Sequence, residues 1–513
     1  MKRSGVCSVE NVKNAEQILE KALQKHGKGL HDEALLLYDL VLSAEPNNIE
    51  ALYNTASILF DKKSFNRATT YLRRLLGEVS ESDKRFQVLC RYCVSCLASG
   101  IKEEAKRGCL EALVISSGHC QELLALGGHF YEHALKEHAA LCFERAREAN
   151  GDSFEAHYNL GLIRYEQGMM EEALSLYRRA ALINPDDPDL LFNMGLALVA
   201  LGEYTEALLC CHELLRQKQS DVHLLVLMAD CYRKLFMLDE SIVHYRSALA
   251  LAPFHGPAWA GLGVVFHQLN LQLEAIQAFT NARDAGHDPE GCAHMLAALT
   301  GTTPEKPPES YVEKLFDSFA ENFDDKLIGQ LGYSVPNLIR AEMGKLLPSG
   351  PSRLLDLGCG TGLVGEVFCG WAGEIHGVDI SAGMLNKAKE KGHYHSLYRG
   401  DIVAYLKSCS KSFDLIVAAD VLNYIGELKP FFRAVMPVLS DRGKLVVSVE
   451  SGEIAEGNYA LQTSGRYAHK IDYLQEVAEM VGLQVEFFRD AKIRMEKGAW
   501  LMGHLVCLSP SAG

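Results

Sequence analysis

The most specific chemistry in this sequence lies in a glycine-rich turn and the acidic residues that follow it. The turn reads Asp356-Leu-Gly358-Cys-Gly360-Thr-Gly362 and comes after an apolar run that predicts a strand. A dinucleotide fingerprint spaces its glycines as G-x-G-x-x-G, the third letting a helix pack closely on the strand. Here Leu363 stands at that third place, and the glycine falls one residue early. The acid two positions before the first glycine is unhelpful beside a pyrophosphate and suits the ammonium group of an amino acid. Asp379 closes the second predicted strand, where a carboxylate can accept hydrogen bonds from both hydroxyls of a ribose. Asp401 follows the third strand, where it can accept from an adenine amino group. Ile380, Met384 and Ile402 are placed to sandwich the ring, and Asp420, after the fourth strand, completes the set. Any one of these acids is equally well read as a solvated loop end. Their order on successive strands is what points to a ligand.

The elements that position them alternate. "SRLLDLGCG", "EIHGVDIS", "HSLYRGDI", "FDLIVAAD" and "GKLVVSVES" read as strands, with helical patterns between them. This alternation predicts a doubly wound parallel sheet with helices on both faces. Two late apolar segments, "LQVEFFRDAKI" and "WLMGHLVCL", predict a hairpin closing the sheet edge. Ahead of the first strand, Phe316, Phe319 and Phe323 recur at helical spacing. They form either a core-facing stripe or a lid over a ligand.

The first half of the chain repeats itself. A small residue returns in similar context at Ala34, Ala68, Ala105, Ala139, Ala173, Ala207, Ser241 and Ala275. All steps but one are 34 residues, the tetratricopeptide period. Leu160, Gly161, Gly168, Ala173, Tyr177, Ala180 and Pro185 fill the positions of one such repeat, and Trp259, Gly263, Phe266, Phe279 and Ala282 those of another. The stretch resembles the tetratricopeptide family, which implies an α superhelix of about eight repeats and a capping helix over residues 15–300. A Pro-rich connection at 301–310 separates it from a second domain at 311–510. Cys90, Cys93 and Cys96 have metal-like spacing, but i, i+3 and i+6 drift around a helix, so they are read as small buried residues.

Composition bounds the partners. A net charge of -15 without a Lys/Arg cluster disfavours nucleic acid and anionic membranes. No apolar run is long enough to predict a membrane span, and the first residues lack the apolar core of a signal peptide. The 15 scattered cysteines are expected to be reduced thiols in a cytoplasmic protein, with no metal site.

The glycine turn, the ordered acids and the closing hairpin resemble class I methyltransferases over about residues 310–510. "SGRYAHKIDYL" is similar to a segment of bacterial methyltransferases that also carry tetratricopeptide repeats. The resemblance implies S-adenosylmethionine as cofactor, held by Asp356, Gly358, Gly360, Gly362, Asp379, Ile380, Met384, Asp401, Ile402 and Asp420. No Asn-Pro-Pro-Tyr stretch follows the fourth strand, which continues Ala419-Asp420-Val-Leu-Asn423-Tyr424, so an amide or adenine amino acceptor is disfavoured. Tyr424 is placed to line the methyl channel. His469 is the candidate general base for a hydroxyl acceptor, with Tyr467 beside it and Arg466 able to pair with an acidic one. A packed histidine without a chemical role is the competing reading of His469. The expected function is methyl transfer to a small molecule or protein, with a protein partner on the concave face of the repeats. A cofactor-binding scaffold without catalysis is the alternative, and the glycine spacing disfavours a dinucleotide oxidoreductase.

Overall fold

The computed structural model describes residues 6–217, 221–320, 323–496 and 498–511. The first five residues, on which the signal-peptide expectation partly rests, lie outside these, as do residues 321–322 of the expected lid. The chain divides into two compact units, Met1–Ser220 and Asp221–Gly513.

The first unit is a run of helix pairs. They are α1 (Val6–Gly27) with α2 (His31–Ala44), α3 (Ile49–Asp61) with α4 (Phe65–Glu78), and α5 (Ser82–Ala98) with α6 (Lys102–Ile115). Then come α7 (Cys120–Glu132) with α8 (Lys136–Ala149), α9 (Phe154–Glu166) with α10 (Met170–Ile183), and α11 (Pro188–Ala200) with α12 (Tyr204–Arg216). The recurring small residues explain the pairing. Ala34, Ala68, Ala105, Ala139, Ala173 and Ala207 are all fully buried. A Cβ added at Gly161 would sit 2.7 Å from the ring of Tyr177, so only glycine lets α9 approach that ring. Ser153 and Asp187, one period apart, each cap a first helix by accepting from the amide three residues on. Cys93 and Cys96 are buried in this packing and Cys90 is half-buried, its thiol pushed up to about 12 by burial.

The second unit begins with two more pairs, α13 (Val222–Lys234) with α14 (Leu238–Leu251) and α15 (Gly256–Gln268) with α16 (Gln272–Asp284). The cap follows as α17 (Pro289–Thr300), then α18 (Glu309–Asp317), a π-helical turn at Asp325–Gln330, and α19 (Val335–Leu346).

The α/β part is β1 (Arg353–Leu357), α20 (Leu363–Phe368), β2 (Glu374–Asp379), α21 (Ala382–Lys391), β3 (Ser396–Arg399), α22 (Ile402–Ser408) and β4 (Phe413–Ala418). It continues with α23 (Lys429–Val435), β5 (Leu439–Glu450), a small hairpin of β6 (Tyr459–Leu461) and β7 (Tyr467–His469), α24 (Ile471–Met480), β8 (Leu483–Glu496) and β9 (Ala499–Pro510). The main sheet runs β3-β2-β1-β4-β5-β9-β8. The first five strands are parallel, and β8 and β9 form the expected antiparallel hairpin on β5. Apolar clusters cover both faces, as a parallel sheet requires. Strand order reverses between β1 and β4, and there the crevice for a ligand opens.

The Pro-rich stretch is not a free spacer. The Glu305 carbonyl accepts from the amides of Gly426 (3.0 Å) and Glu427 (2.9 Å), and Leu461 N donates to Thr303 Oγ1. Nearby, buried His294 of α17 bonds through Nε2 to the Gly465 carbonyl at 2.9 Å. Composition alone reads such a stretch as a linker, because most of its residues are polar or proline and the Glu305 contacts are made by backbone.

Candidate functional site

The glycine turn is shaped by β2. Gly358 N and Cys359 N both donate to the Val378 carbonyl, which folds the turn over the end of that strand. Gly358 takes φ +68°, and a Cβ there would lie 2.5 Å from Val421, so both backbone and space require glycine. Gly360 N donates to Asp379 Oδ2 at 2.8 Å, and Ser381 N donates to Oδ1 at 2.9 Å. Asp379 is thereby fixed at the end of β2, its carboxyl raised above the usual range by burial. Asp401 caps α22 by accepting from Ala404 N at 2.8 Å through Oδ1.

A cavity of about 540 Å³ opens over these groups. That size suits a small-molecule ligand. Gly358, Gly360, Asp379, Ile380, Asp401, Ile402 and Asp420 all line it. So does Tyr424, as its sequence position indicated. Four expected residues do not. Asp356 is buried behind the turn, where Tyr394 Oη donates to its Oδ2 at 2.7 Å and burial pushes its carboxyl up to about 7. It is not part of the cavity wall, and its Oδ1 is left without a partner among the described residues. Gly362 (φ +91°) packs against the Tyr394 ring and serves as the entry to α20. Met384 is buried within α21 and is not part of the wall. His469 is also buried off the cavity, with Nε2 bonded to the carbonyls of Ile425 (2.8 Å) and Gly426 (3.0 Å). Those acceptors fix the proton on Nε2, and burial holds the imidazole below its usual pKa, so it stays a neutral structural donor. Its place gives no support to a role as general base.

The other acceptor-side residues divide in the same way. Tyr467 is fully buried in a cluster with Ala298 of α17 and Leu461. Arg466 is paired with Glu450 and Glu496 and is not part of the cavity wall. Phe316 and Phe323 line the cavity, whereas Phe319 is more than one-third exposed. The acids following the two lining phenylalanines fasten that segment down. Asp317 accepts from Ser381 Oγ (2.5 Å) and Gly383 N, and Asp324 from Thr361 Oγ1 and Lys391 Nζ (2.6 Å). Each Phe-Asp pair thus puts an aromatic ring into the wall and ties its backbone to a turn of the sheet.

Sequence reasoning missed Tyr333, which lines the cavity, and the buried ion cluster beyond β4 and β5. Arg494 of β8 donates to Asp420 Oδ2 (2.5 Å) and to Glu450, and Asn423 Nδ2 bridges Asp420 and Glu450. The one sequence signal was Arg494 within an apolar strand pattern, with a partner 74 residues away.

The residues present fit S-adenosylmethionine. Asp379 accepts from Gly360 N through Oδ2 and Ser381 N through Oδ1, the Ile380 amide also stabilises it, and its remaining lone pairs can accept ribose hydroxyls. Asp401 Oδ1 alone is engaged by the helix cap, leaving Oδ2 for an adenine amino group. Ile380 and Ile402 supply apolar faces between the two acids.

Comparison with known proteins agrees. Residues 355–447 match the family model of a methyltransferase domain. Residues 161–202 and 222–255 match models of the tetratricopeptide repeat. The chain therefore combines tetratricopeptide repeats with a methyltransferase domain. Among curated relatives, the ubiquinone biosynthesis O-methyltransferase of Bradyrhizobium sp. (strain ORS 278) is 34% identical over 99 residues, 19% of this chain and 39% of the relative. That of Nitrobacter winogradskyi is 30% identical over 130 residues, 23% of this chain and 49% of the relative. The chain thus spans about half or less of the length of these relatives. A solved S-adenosylmethionine-dependent methyltransferase from Clostridium acetobutylicum aligns over 39% of this chain and all of its own, at 20% identity and TM-score 0.31. The tetratricopeptide protein YrrB aligns over 37% of this chain and 95% of its own, at 21% identity and TM-score 0.33.

Proposed function

We propose that the chain is an S-adenosylmethionine-dependent methyltransferase whose repeats recruit a protein partner or substrate. The observation that carries this reading is the joining of the glycine turn to Asp379 through the Gly360 amide, with Asp401, the cap of α22 just after the next strand, lining the same cavity. In it, Asp379 holds the ribose, Asp401 the adenine amino group, and Ile380 and Ile402 the faces of the ring. The cofactor, when bound, supplies a methyl carbon made electrophilic by its sulfonium. The chain's own part is then alignment and exclusion of water. Phe316, Phe323 and Leu327 roof the cavity, and Asp317 and Asp324 hold that roof to the sheet.

The acceptor is a small molecule or a protein, and the partner binds the concave face of the repeats. Acidic net charge argues against nucleic acid and membrane surfaces. No helix among the described residues is long and apolar enough to cross a membrane. Together with the free buried cysteines, this supports a cytoplasmic setting.

Calorimetry with S-adenosylmethionine, S-adenosylhomocysteine and NAD tests the reading. Both sulfur ligands should bind and NAD should not. Asp379→Ala should weaken the sulfur ligands by about 1.5–3 kcal/mol, the scale of hydrogen bonds to a charged group. A preference for NAD, or an unchanged affinity in the folded variant, overturns it.

A further inference from the structure

We propose that Asp420, with the hydroxyls of Tyr333 and Tyr424, forms a charge-reading end of the cavity that holds the sulfonium of S-adenosylmethionine in preference to the neutral thioether left after transfer. The inference rests on the cofactor reading above and concerns which part of the ligand these three residues address.

Several independent observations converge on this corner. Asp420 sits at the end of β4 with φ +62°, a left-handed backbone that a non-glycine residue rarely keeps without a reason. The conformation is held from two sides. Its own N–H donates to Ser448 Oγ at 2.7 Å, and its carboxylate accepts from Asn423 and Arg494. Asp420 is part of the cavity wall, with Oδ1 engaged by Asn423 and Oδ2 by Arg494.

The ion cluster behind it is arranged asymmetrically. Among the described residues, Asp420, Glu450 and Glu496 face two guanidiniums, Arg494 and Arg466. Neither arginine lines the cavity, whereas Asp420 does. The cluster therefore turns a negative face toward the ligand and keeps its positive members behind. Glu450 adds to this, because Arg466 and Arg494 outweigh the effect of its burial, whereas burial raises the Asp420 carboxyl above its usual range and Arg494 works against that rise. Of the other titratable wall groups that are not exposed, Asp379, Asp401 and Glu427 are acids and Cys359 is a thiol that burial keeps protonated, while the lining lysines, Lys306 and Lys407, are exposed.

The tyrosines point the same way. Tyr333 is more than nine-tenths buried, yet its hydroxyl has no hydrogen-bond partner among the described residues and borders the cavity. Tyr424 Oη is likewise without a partner there. Both phenols are held in the protonated form by burial, and Asp420 adds to the effect. A phenolic oxygen can accept weak C–H···O contacts from a polarised methyl group, and an aromatic face attracts a cation. A neutral thioether gains little from any of these. Loss of the charge at transfer would loosen the product where it was held as substrate.

The test compares three ligands by calorimetry on the full chain. These are S-adenosylmethionine, S-adenosylhomocysteine, and sinefungin, which carries an amine in place of the sulfonium. The two cationic ligands should bind roughly tenfold more tightly than the thioether, the scale of one partly screened charge pair. Asp420→Asn keeps the shape and should bring the three affinities together by weakening only the cations. Tyr333→Phe and Tyr424→Phe should each narrow the gap in part. They serve if the Asp420 variant fails to fold. Thioether binding as tight as S-adenosylmethionine in the unmodified chain overturns the inference. So does an equal loss for all three ligands in Asp420→Asn, which would place the residue against their shared amino-acid end. Failure of every ligand to bind would sink the cofactor reading itself and this inference with it.

Discussion

At Asp356 the chain buries a carboxyl that accepts one hydrogen bond from Tyr394 and leaves Oδ1 without a partner. Burial raises its pKa from 3.8 to about 7, so the folded state binds a proton that the unfolded state has already released. Between those values the native state carries the extra proton. Stability therefore falls as pH rises through that window and stays low above it. Asp356→Asn keeps the acceptor for Tyr394 and removes the titration. Relative to Asp356→Asn, the unmodified chain should lose about 3 kcal/mol of stability between pH 4 and 7. Urea unfolding of residues 221–513 across pH measures this, and parallel profiles would refute it. At this scale the sequence was legible where position along a strand decides a residue's role. Asp379 ends a strand and Asp401 follows one by two residues as the cap of α22, and the carboxyl ends of strands in a parallel sheet border the crevice. It was not legible where facing depends on tertiary packing. Asp356 lies inside a strand buried on both faces, and the orientation of His469 is set by carbonyls on a loop more than 40 residues away.

Among elements, α18 and the π-helical turn behind it carry the aromatic roof. Two acids fasten this segment to turns of the sheet, and α18 itself buries no residue fully. It is thus held more by hydrogen bonds than by a core. Asp317→Ala removes the contacts to Ser381 and Gly383. Amide exchange across Glu309–Asp317 should then quicken tenfold or more, since a charge-assisted hydrogen bond is worth about 1.5–3 kcal/mol. Unchanged exchange would mean that the segment is held by packing instead. Helical spacing of Phe316, Phe319 and Phe323 was enough to find the element. It could not decide between lid and core, because two of those rings line the cavity and the third turns outward.

For the molecule as a whole, the compact unit that holds the cavity begins at Asp221, inside the repeats. Tyr467 is buried against Ala298 and His294 bonds to Gly465, so removal of α17 would uncover the β6–β7 hairpin. A fragment of residues 221–513 should bind S-adenosylhomocysteine like the full chain, and one of residues 311–513 should bind poorly and melt earlier. Equal binding and melting by both would show that the repeats are dispensable to the site. The period of 34 made the repeats plain, because each one must solve the same packing problem. The joint with the second domain was hidden, because its contacts pair residues more than 150 positions apart, such as His294 with Gly465 and Thr303 with Leu461.

That joint has a consequence for how the protein tolerates change. The Glu305 carbonyl receives two amides, and a carbonyl is common to all residues. Substitutions at Glu305 can therefore drift in charge and size without breaking this seat, whereas Thr303, whose hydroxyl accepts from Leu461 N, and buried Pro307 are held by their own side chains. Insertion or deletion of one residue would shift which carbonyl meets Gly426 and Glu427. The strap is thus a ruler: variable in spelling at Glu305, fixed in length. Its outward side chains, Glu305, Lys306 and Glu309, lie at the cavity rim and are free to vary with whatever molecule enters there.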